Sequence, residues 1–381
     1  MKILIYTPTS LEAYGGAEVA LISLAAEIAS FGHRVVFLSG SISSESRRAR
    51  EDLVKELGAC GIKLIFASDI SLKWLSLPNV ESLKMLYSMV RWCDLVYFNE
   101  CPGLLFHDLS LALVSKLMKK PVVAVHHDSV PFMSLALHNR LRYITIRKFF
   151  LRSFVVHHVV SRKYGEFLRK VGCARVVFIP NGVNLYRTKY QGHPTDEGAF
   201  KVFFVGRLSF EKGIDYLQYV VEEFNAKYPH LSKHVEFHIF GDGSQRMIVE
   251  QLAATNENVV YHGFLMHEQM VNSYENGHLL IMTSRTENMP LALIEAQSFG
   301  LPVVTFNTPT MDDLVREPIG KLVKPGDIET FTKSIFDFYR LWSEHPKDYA
   351  ILRIQIKAIA SKYDMTEISK KILRLFESIL I

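Results

Sequence analysis

At 381 residues, 49% of them hydrophobic and 22% charged, the chain is longer than one hydrophobic core usually supports and too apolar to be disordered, so two domains are the expectation. Its four cysteines, Cys60, Cys93, Cys101 and Cys173, stand far apart, with no Cys-x-x-Cys pair and no zinc-type Cys/His spacing, which argues against a disulfide or zinc scaffold and suits a reducing compartment. The net charge of +5 divides into +9 for residues 1–180 (23 basic against 14 acidic) and −4 for 181–381 (21 against 25), so the first half is the one suited to an anionic partner.

Met1-Lys-Ile-Leu-Ile-Tyr-Thr-Pro runs straight into a short apolar strand, without the basic stretch, apolar run and small-residue cleavage site of a signal peptide. No window reaches the roughly 18 uninterrupted apolar residues of a spanning helix. Membrane contact, if made, is expected to be peripheral. Along the first half, bare apolar runs at Ile3–Tyr6, Val35–Leu38, Lys63–Phe66, Leu95–Phe98, Val122–Val125, Phe154–His158 and Val176–Ile179 alternate with helix-period segments. Strands buried on both faces read this way, and the order predicts a doubly wound parallel sheet. A second set, Val202–Val205, Glu236–Phe240, Val259–Tyr261, Leu279–Met282, Val303–Phe306 and Lys321–Val323, predicts a second lobe of the same class. Between them, Pro180-Asn181-Gly182-Val183-Asn184 and the polar residues through Gly198 read as a linker. In the last segment Ile368, Ile372, Leu375, Phe376 and Ile379 fall near helical spacing, as in a packing helix.

Two constellations carry chemistry. After strand Val202–Val205 comes Gly206-Arg207-Leu208-Ser209-Phe210-Glu211-Lys212-Gly213, with a helix expected from Ile214. A glycine turn there lets the backbone approach a ligand, and two cations can bind phosphates by charge-assisted hydrogen bonds; the plainer alternative is a solvated loop with two surface cations. The second is Thr283-Ser284-Arg285-Thr286-Glu287-Asn288-Met289-Pro290-Leu291, running on to Glu295. Pro290 fits a first helical turn, so the N–H groups around Asn288 to Leu291 should face a ligand, with the helix dipole favouring a diphosphate. Glu287 can meet sugar hydroxyls and Glu295 a ribose diol. A plain dipole-stabilising acid would explain Glu287 but not Glu295, which sits among apolar neighbours.

Together with Gly15-Gly16-Ala17-Glu18 after the first strand and Pro180-Asn181-Gly182-Val183, these motifs resemble glycosyltransferase family 4 over essentially the whole chain. The resemblance implies a GT-B fold of two Rossmann-like α/β lobes about a cleft: an acceptor lobe at 1–182, a nucleotide-sugar donor lobe at 183–361, and a C-terminal helix at 362–381 packing back toward the first lobe. It implies that Arg207 and Lys212 bind the donor diphosphate, Glu295 the ribose, Glu287 and the amides of Asn288, Met289, Pro290 and Leu291 the transferred sugar, and Gly16 the distal phosphate. His126 and His127 end strand Val122–Val125; alternation lets at most one face a ligand, and by position His127 matches the family's histidine beside the donor sugar. The alternative leaves both as ordinary strand-end residues, and His157 and His158 read as core or edge.

The chain departs from the family pattern at Glu287-Asn288-Met289, where many members have Glu-Gly-Phe, and at Asn307-Thr308-Pro309-Thr310, where a glycine-containing turn is usual. The sugar therefore does not carry over. No Asp-x-Asp motif occurs, and the expectation is a metal-independent, retaining transfer that uses no cofactor beyond a UDP-sugar, or a GDP-sugar, as co-substrate. From Ser129 to Gly165 there is no Asp or Glu, whereas Arg140, Arg142, Arg147, Lys148 and Arg152 occur. That suits either an anionic membrane surface or a solvated basic helix face, while nucleic acid lacks an accompanying motif. A cytoplasmic, peripheral transferase of polysaccharide, capsule or lipopolysaccharide synthesis follows. Its rivals are a nucleotide-sugar epimerase or hydrolase and a non-enzymatic nucleotide-sugar binder.

Overall fold

The computed structural model describes residues 1–7, 15–40, 54–67, 69–72, 75–100, 105–127, 156–170, 172–185, 198–265 and 267–381. The chain divides into two units, Met1–Asn184 with Met365–Ile381, and Leu185–Asp364.

In the first unit, β1 (Lys2–Thr7), β2 (Arg34–Gly40), β3 (Lys63–Ala67), β6 (Leu95–Asn99), β7 (Val122–His126), β8 (Val156–Val159) and β9 (Val176–Phe178) form one sheet in the order β3-β2-β1-β6-β7-β8-β9. Every pairing in it is parallel. Alternation along the strands splits the apolar residues between two faces. Ile3, Ile5, Val35, Phe37, Tyr97 and Val123 pack on α1 (Gly16–Ser30). Leu4, Tyr6, Val36, Leu38, Phe98 and Ala124 pack with Leu86 and Val90 of α2 (Val80–Trp92) and Leu111 of α3 (Leu105–Met118). The helix α4 (Arg162–Lys170) adds Tyr164 and Leu168 to a smaller cluster. An antiparallel pair, β4 (Asp69–Leu72) with β5 (Leu75–Pro78), was not expected from sequence. Four-residue strands of mixed polarity lack the continuous apolar run that marks the buried parallel strands.

The second unit repeats the architecture in the order β12-β11-β10-β13-β14-β15, again parallel throughout. Its strands are β10 (Phe200–Val205), β11 (Val235–Phe240), β12 (Val259–Gly263), β13 (Leu279–Met282), β14 (Val303–Phe306) and β15 (Gly320–Val323). The helices are α5 (Ile214–Lys227), α6 (Arg246–Thr255), α7 (His267–Tyr274), α8 (Leu291–Ser298), α9 (Ile328–Glu344) and α10 (Pro346–Ala360). Val202, Phe204, Phe237 and Ile239 meet Leu217, Val221 and Phe224 of α5 and Phe331 and Ile335 of α9 in one core. Winding reverses between β1 and β6 in the first sheet and between β10 and β13 in the second, and open α/β sheets bind ligands outside the carboxyl ends of strands at such points.

The last helix, α11 (Met365–Leu380), belongs to the first unit although 180 residues of the second precede it. Ile368, Ile372, Leu375 and Phe376 join the α1 side of the core. Polar contacts fix its register: Thr366 Oγ1 donates to Glu27 Oε1 at 2.7 Å and Arg175 Nη2 to Ser378 Oγ at 3.0 Å. Gly182 permits the crossing, because a Cβ there would sit 2.9 Å from Met365 Cα. Phe376 is fully buried, edge-on to Tyr97 with centroids 5.4 Å apart. Phe376→Ala should therefore lower stability by about 3–5 kcal/mol through lost transfer energy and the cavity left behind. Urea denaturation followed by tryptophan fluorescence checks this, and an unchanged midpoint would show that the helix is dispensable to the unit.

Candidate functional site

At the switch point of the second unit, β10 and β13 are neighbours, and the loops leaving their carboxyl ends carry both sequence constellations. The first loop passes through Arg207, which is exposed, into a short 3₁₀ turn at Phe210–Lys212 and then α5. Gly213 joins the two with φ +68°, a left-handed conformation that glycine tolerates, and a Cβ there would lie 2.0 Å from the Thr283 carbonyl oxygen. No larger residue fits between the loops.

The second loop holds the first by its carbonyls. Arg285 Nη1 donates to Phe210 O at 2.7 Å, the Arg285 N–H to Glu211 O at 2.9 Å, and Thr283 Oγ1 lies 3.1 Å from Lys212 O and 2.9 Å from Gly213 O. Arg285 also grips Asp215 at the start of α5 with both terminal nitrogens, at 2.8 and 2.5 Å. Its guanidinium lies 3.8 Å from the ring centroid of Phe210 and 4.3 Å from that of Tyr216. The hydrogen bond from Arg285 holds the Asp215 carboxyl below the usual carboxylate range.

The same pairing of loops brings Lys212 to Glu287. Nζ lies 2.5 Å from Oε1, and Ser284 Oγ donates to that oxygen at 2.7 Å. Glu287 is 7% exposed, so its charge is almost wholly removed from water and the ammonium and hydroxyl compensate it. Thr310 Oγ1 donates to the Glu287 carbonyl at 2.8 Å, which gives the loop after β14 a supporting role even without the expected glycine turn. Asn288, Met289, Pro290 and Leu291 are buried behind Glu287. The helix begins one residue later than the sequence suggests: Pro290 has ψ 122°, too extended for a helical residue, and serves as N-cap to Leu291. Half-buried Glu295, about one turn on, meets the Tyr274 hydroxyl at 3.4 Å. Burial, and then the neighbouring carboxylate, push the Tyr274 hydroxyl well above its ordinary value, so it stays a donor.

Gly16 and His127 lie in the first unit. Gly16 opens α1, exposed, with no atom within 4 Å of where a Cβ would stand. His126 and His127 separate as alternation requires. His126 is fully buried, with Nδ1 3.0 Å from Glu100 Oε2 and Nε2 3.0 Å from His157 Nδ1. If neutral His126 donates through Nδ1 to the carboxylate, its Nε2 accepts the proton of His157 Nδ1. His158 bonds the Tyr97 hydroxyl at 2.7 Å and the Ile179 carbonyl at 2.8 Å, so both histidines of β8 are core residues. His127 directly follows β7, with both ring nitrogens shielded from solvent while the residue as a whole is partly exposed. At the same sheet edge Asn99 Nδ2 donates to Thr7 Oγ1 at 3.1 Å.

Among the predicted site residues, then, the geometry unites Lys212 with Glu287 and places Arg207 and Glu295 on the loop and helix beside them. Sequence reading assigned no role to Arg285, Asp215, Thr283 or Ser284. The partners of the first three lie about 70 residues away in the chain, and only the adjacency of β10 and β13 could have paired them. Arg140, Arg142, Arg147, Lys148 and Arg152 lie outside the described residues. No helix among the described residues is long and apolar enough to cross a membrane.

Two family models match the chain, Glycosyltransferase Family 4 over residues 14–187 and Glycosyl transferases group 1 over residues 187–351. The chain is 25% identical over 206 residues to the phosphatidylinositol N-acetylglucosaminyltransferase gpi3 subunit of Schizosaccharomyces pombe, a match covering 52% of this chain and 43% of that protein. It is 27% identical over 244 residues to an uncharacterized glycosyltransferase of Haemophilus influenzae, covering 58% of this chain and 67% of that one. The chain spans less than half the length of the first four curated relatives it matches. Among solved structures, Anabaena Alr3699/HepE in complex with UDP-glucose superposes with a TM-score of 0.76 at 21% identity, covering 99% of this chain and all of that one. At that identity the likeness shows the fold.

The buried histidines make stability depend on pH. Burial pushes His126, His127 and His278 down to about 3 and His158 to about 4, against roughly 6.5 in an unfolded chain. Between those values the unfolded state binds more protons, so stability is full above pH ~6.5 and falls as pH drops, on the order of 1 kcal/mol per pH unit for each ring. Urea midpoints at pH 7.5, 6.0 and 5.0 should decline steadily; midpoints that stay level across this range would contradict buried, neutral rings.

Proposed function

Because the chain belongs to glycosyltransferase family 4, we propose that it transfers a sugar from a nucleoside diphosphate donor, with retention, to a glycan or lipid-linked acceptor. The observation that carries this reading is the meeting of Lys212 with Glu287 at the switch point, with Arg207 on the same loop as Lys212 and the amino end of α8 following Glu287. In this reading Arg207 and Lys212 neutralise the diphosphate as it leaves, and the first-turn N–H groups of α8 add the positive end of a helix dipole. Glu295 takes the ribose diol, and Glu287 with the backbone of Asn288, Met289, Pro290 and Leu291 takes the transferred sugar. Within the first unit, Gly16 is assigned to phosphate binding and His127 to sugar binding. Glu287 shares one oxygen with Lys212 and Ser284, which suits a hydrogen-bonding role better than that of a nucleophile. The incoming hydroxyl then attacks from the face that the phosphate leaves, and the phosphate oxygen takes its proton.

UDP is the favoured nucleotide, following the UDP-glucose bound by the fold neighbour; GDP is the alternative. Cell-surface polysaccharide is the favoured product class, and the acid-free segment between Ser129 and Gly165 supports a peripheral, cytoplasmic station at an anionic membrane. A thermal-shift panel of nucleotide sugars tests the donor, since a ligand at a hundred times its dissociation constant adds about 2.7 kcal/mol. No shift with any member sinks the donor reading. Free sugar released without an acceptor turns it into a hydrolase, and binding without turnover over a broad acceptor panel into a binder.

Two further outcomes follow from the site. Each charge-assisted hydrogen bond to the diphosphate contributes about 1.5–3 kcal/mol, so Arg207→Ala or Lys212→Ala should cost roughly 10-fold to 150-fold in kcat/KM. Arg207→Ala is the cleaner variant, because Lys212→Ala also unpairs Glu287. Near-normal turnover in both removes the diphosphate assignment. With protein cations and helix dipole doing the neutralising, transfer should also survive EDTA; activity lost on chelation and restored by magnesium or manganese would contradict this.

A further inference from the structure

Lys212 stands on a loop that has little to hold it by its own means. The 3₁₀ turn Phe210–Lys212 is three residues long, contains no buried residue and ends in a left-handed glycine. Its order comes from across the sheet, where Thr283 and Arg285 take the carbonyls of Phe210, Glu211, Lys212 and Gly213, one after another.

Of the two, Arg285 also reaches α5, through Asp215. Its terminal nitrogens are spent on Asp215 and Phe210 O, and its plane is stacked against Phe210 and Tyr216. A guanidinium so occupied is poorly placed to bind a phosphate itself. It is well placed to set the distance between the 3₁₀ turn and the loop bearing Glu287. Lysine cannot substitute, since a single ammonium has neither the planar fork nor the stacking face.

We infer that Arg285, locked by Asp215, is a positioning residue that acts through Lys212, holding the ammonium in register with Glu287 before any donor arrives. The inference deepens the donor reading and rests on it only for its consequence in catalysis. A clasp of this kind removes the cost of ordering the loop at the moment of binding, so it should be felt in donor affinity as well as in turnover.

Two measurements on the full-length chain test the inference, with Arg285→Ala and Arg285→Lys as variants and Asp215→Asn as a third that keeps the shape of the partner. The first needs no donor. Acetylation of Lys212 by an amine-reactive ester, read by peptide mass spectrometry, should run about 10-fold faster in the variants once the ion pair loosens. Lys227, paired with Glu329 at the surface, should label at its wild-type rate. The second is UDP calorimetry on the folded proteins. Arg285→Ala should weaken UDP roughly 10-fold to 100-fold in the wild-type background and change nothing further in a Lys212→Ala background. Unchanged Lys212 labelling in all three variants, or losses that simply add when Lys212 is also removed, would overturn the positioning role. Failure of the wild-type chain to bind UDP would instead strike the choice of donor, and the labelling rates would still decide the clasp.

Discussion

The contact between Lys212 Nζ and Glu287 Oε1 joins residues 75 positions apart in the chain, and it exists because β10 and β13 lie side by side where the winding of the sheet reverses. Everything proposed for the site depends on that adjacency. A parallel sheet cannot join neighbours by a tight turn, so each strand end releases a loop, and at the reversal two such loops face one another without a helix between them. Glycine at 213 brings the loops within backbone contact, and the carbonyl contacts from Thr283 and Arg285 follow from that closeness. The buried carboxylate of Glu287 is tolerable only because an ammonium and a hydroxyl arrive with it.

The two sheets were legible because their strands are apolar on both faces, as Leu4 and Ile5 show by packing into opposite layers. Strand ends moved by one or two residues, as with Lys2 and Thr7 flanking the expected Ile3–Tyr6. The β4–β5 pair escaped because it is antiparallel, short and mixed in polarity. At the site, the residue types and their spacing singled out Lys212 and Glu287, yet nothing in the sequence said that they touch. Arg285, between Ser284 and Thr286, was given no role. Its meaning lies in Phe210, on the neighbouring strand's loop, and in Asp215 on the helix that follows it, and pairings across a sheet leave no periodic trace.

The histidines of the first unit show a similar limit. Alternation allowed only one of His126 and His127 to leave the core, and His126 is the one retained, in a chain from Glu100 to His157. A sequence shows which residues can ionise, but not which will be sealed from water. Here burial keeps the His126 ring neutral, and its hydrogen bonds to Glu100 and His157 then assign its proton to one nitrogen. The strand end bearing His127 is thereby joined to β6 and β8 by polar contacts as well as by the sheet ladder.

The return of α11 to the first unit has a consequence for how the molecule is made. A chain emerging from the ribosome folds domain by domain as each becomes complete. The second unit is one contiguous segment, Leu185–Asp364, whereas the first needs Met365–Ile381 to finish its core. During synthesis the earlier half therefore waits, with the apolar α1 side of its sheet uncovered where Ile368, Ile372 and Phe376 will lie, until the later half has been delivered. Of the two units, the one that begins earlier is completed later, and in that interval a nascent chain offers chaperones an apolar surface that the folded unit hides.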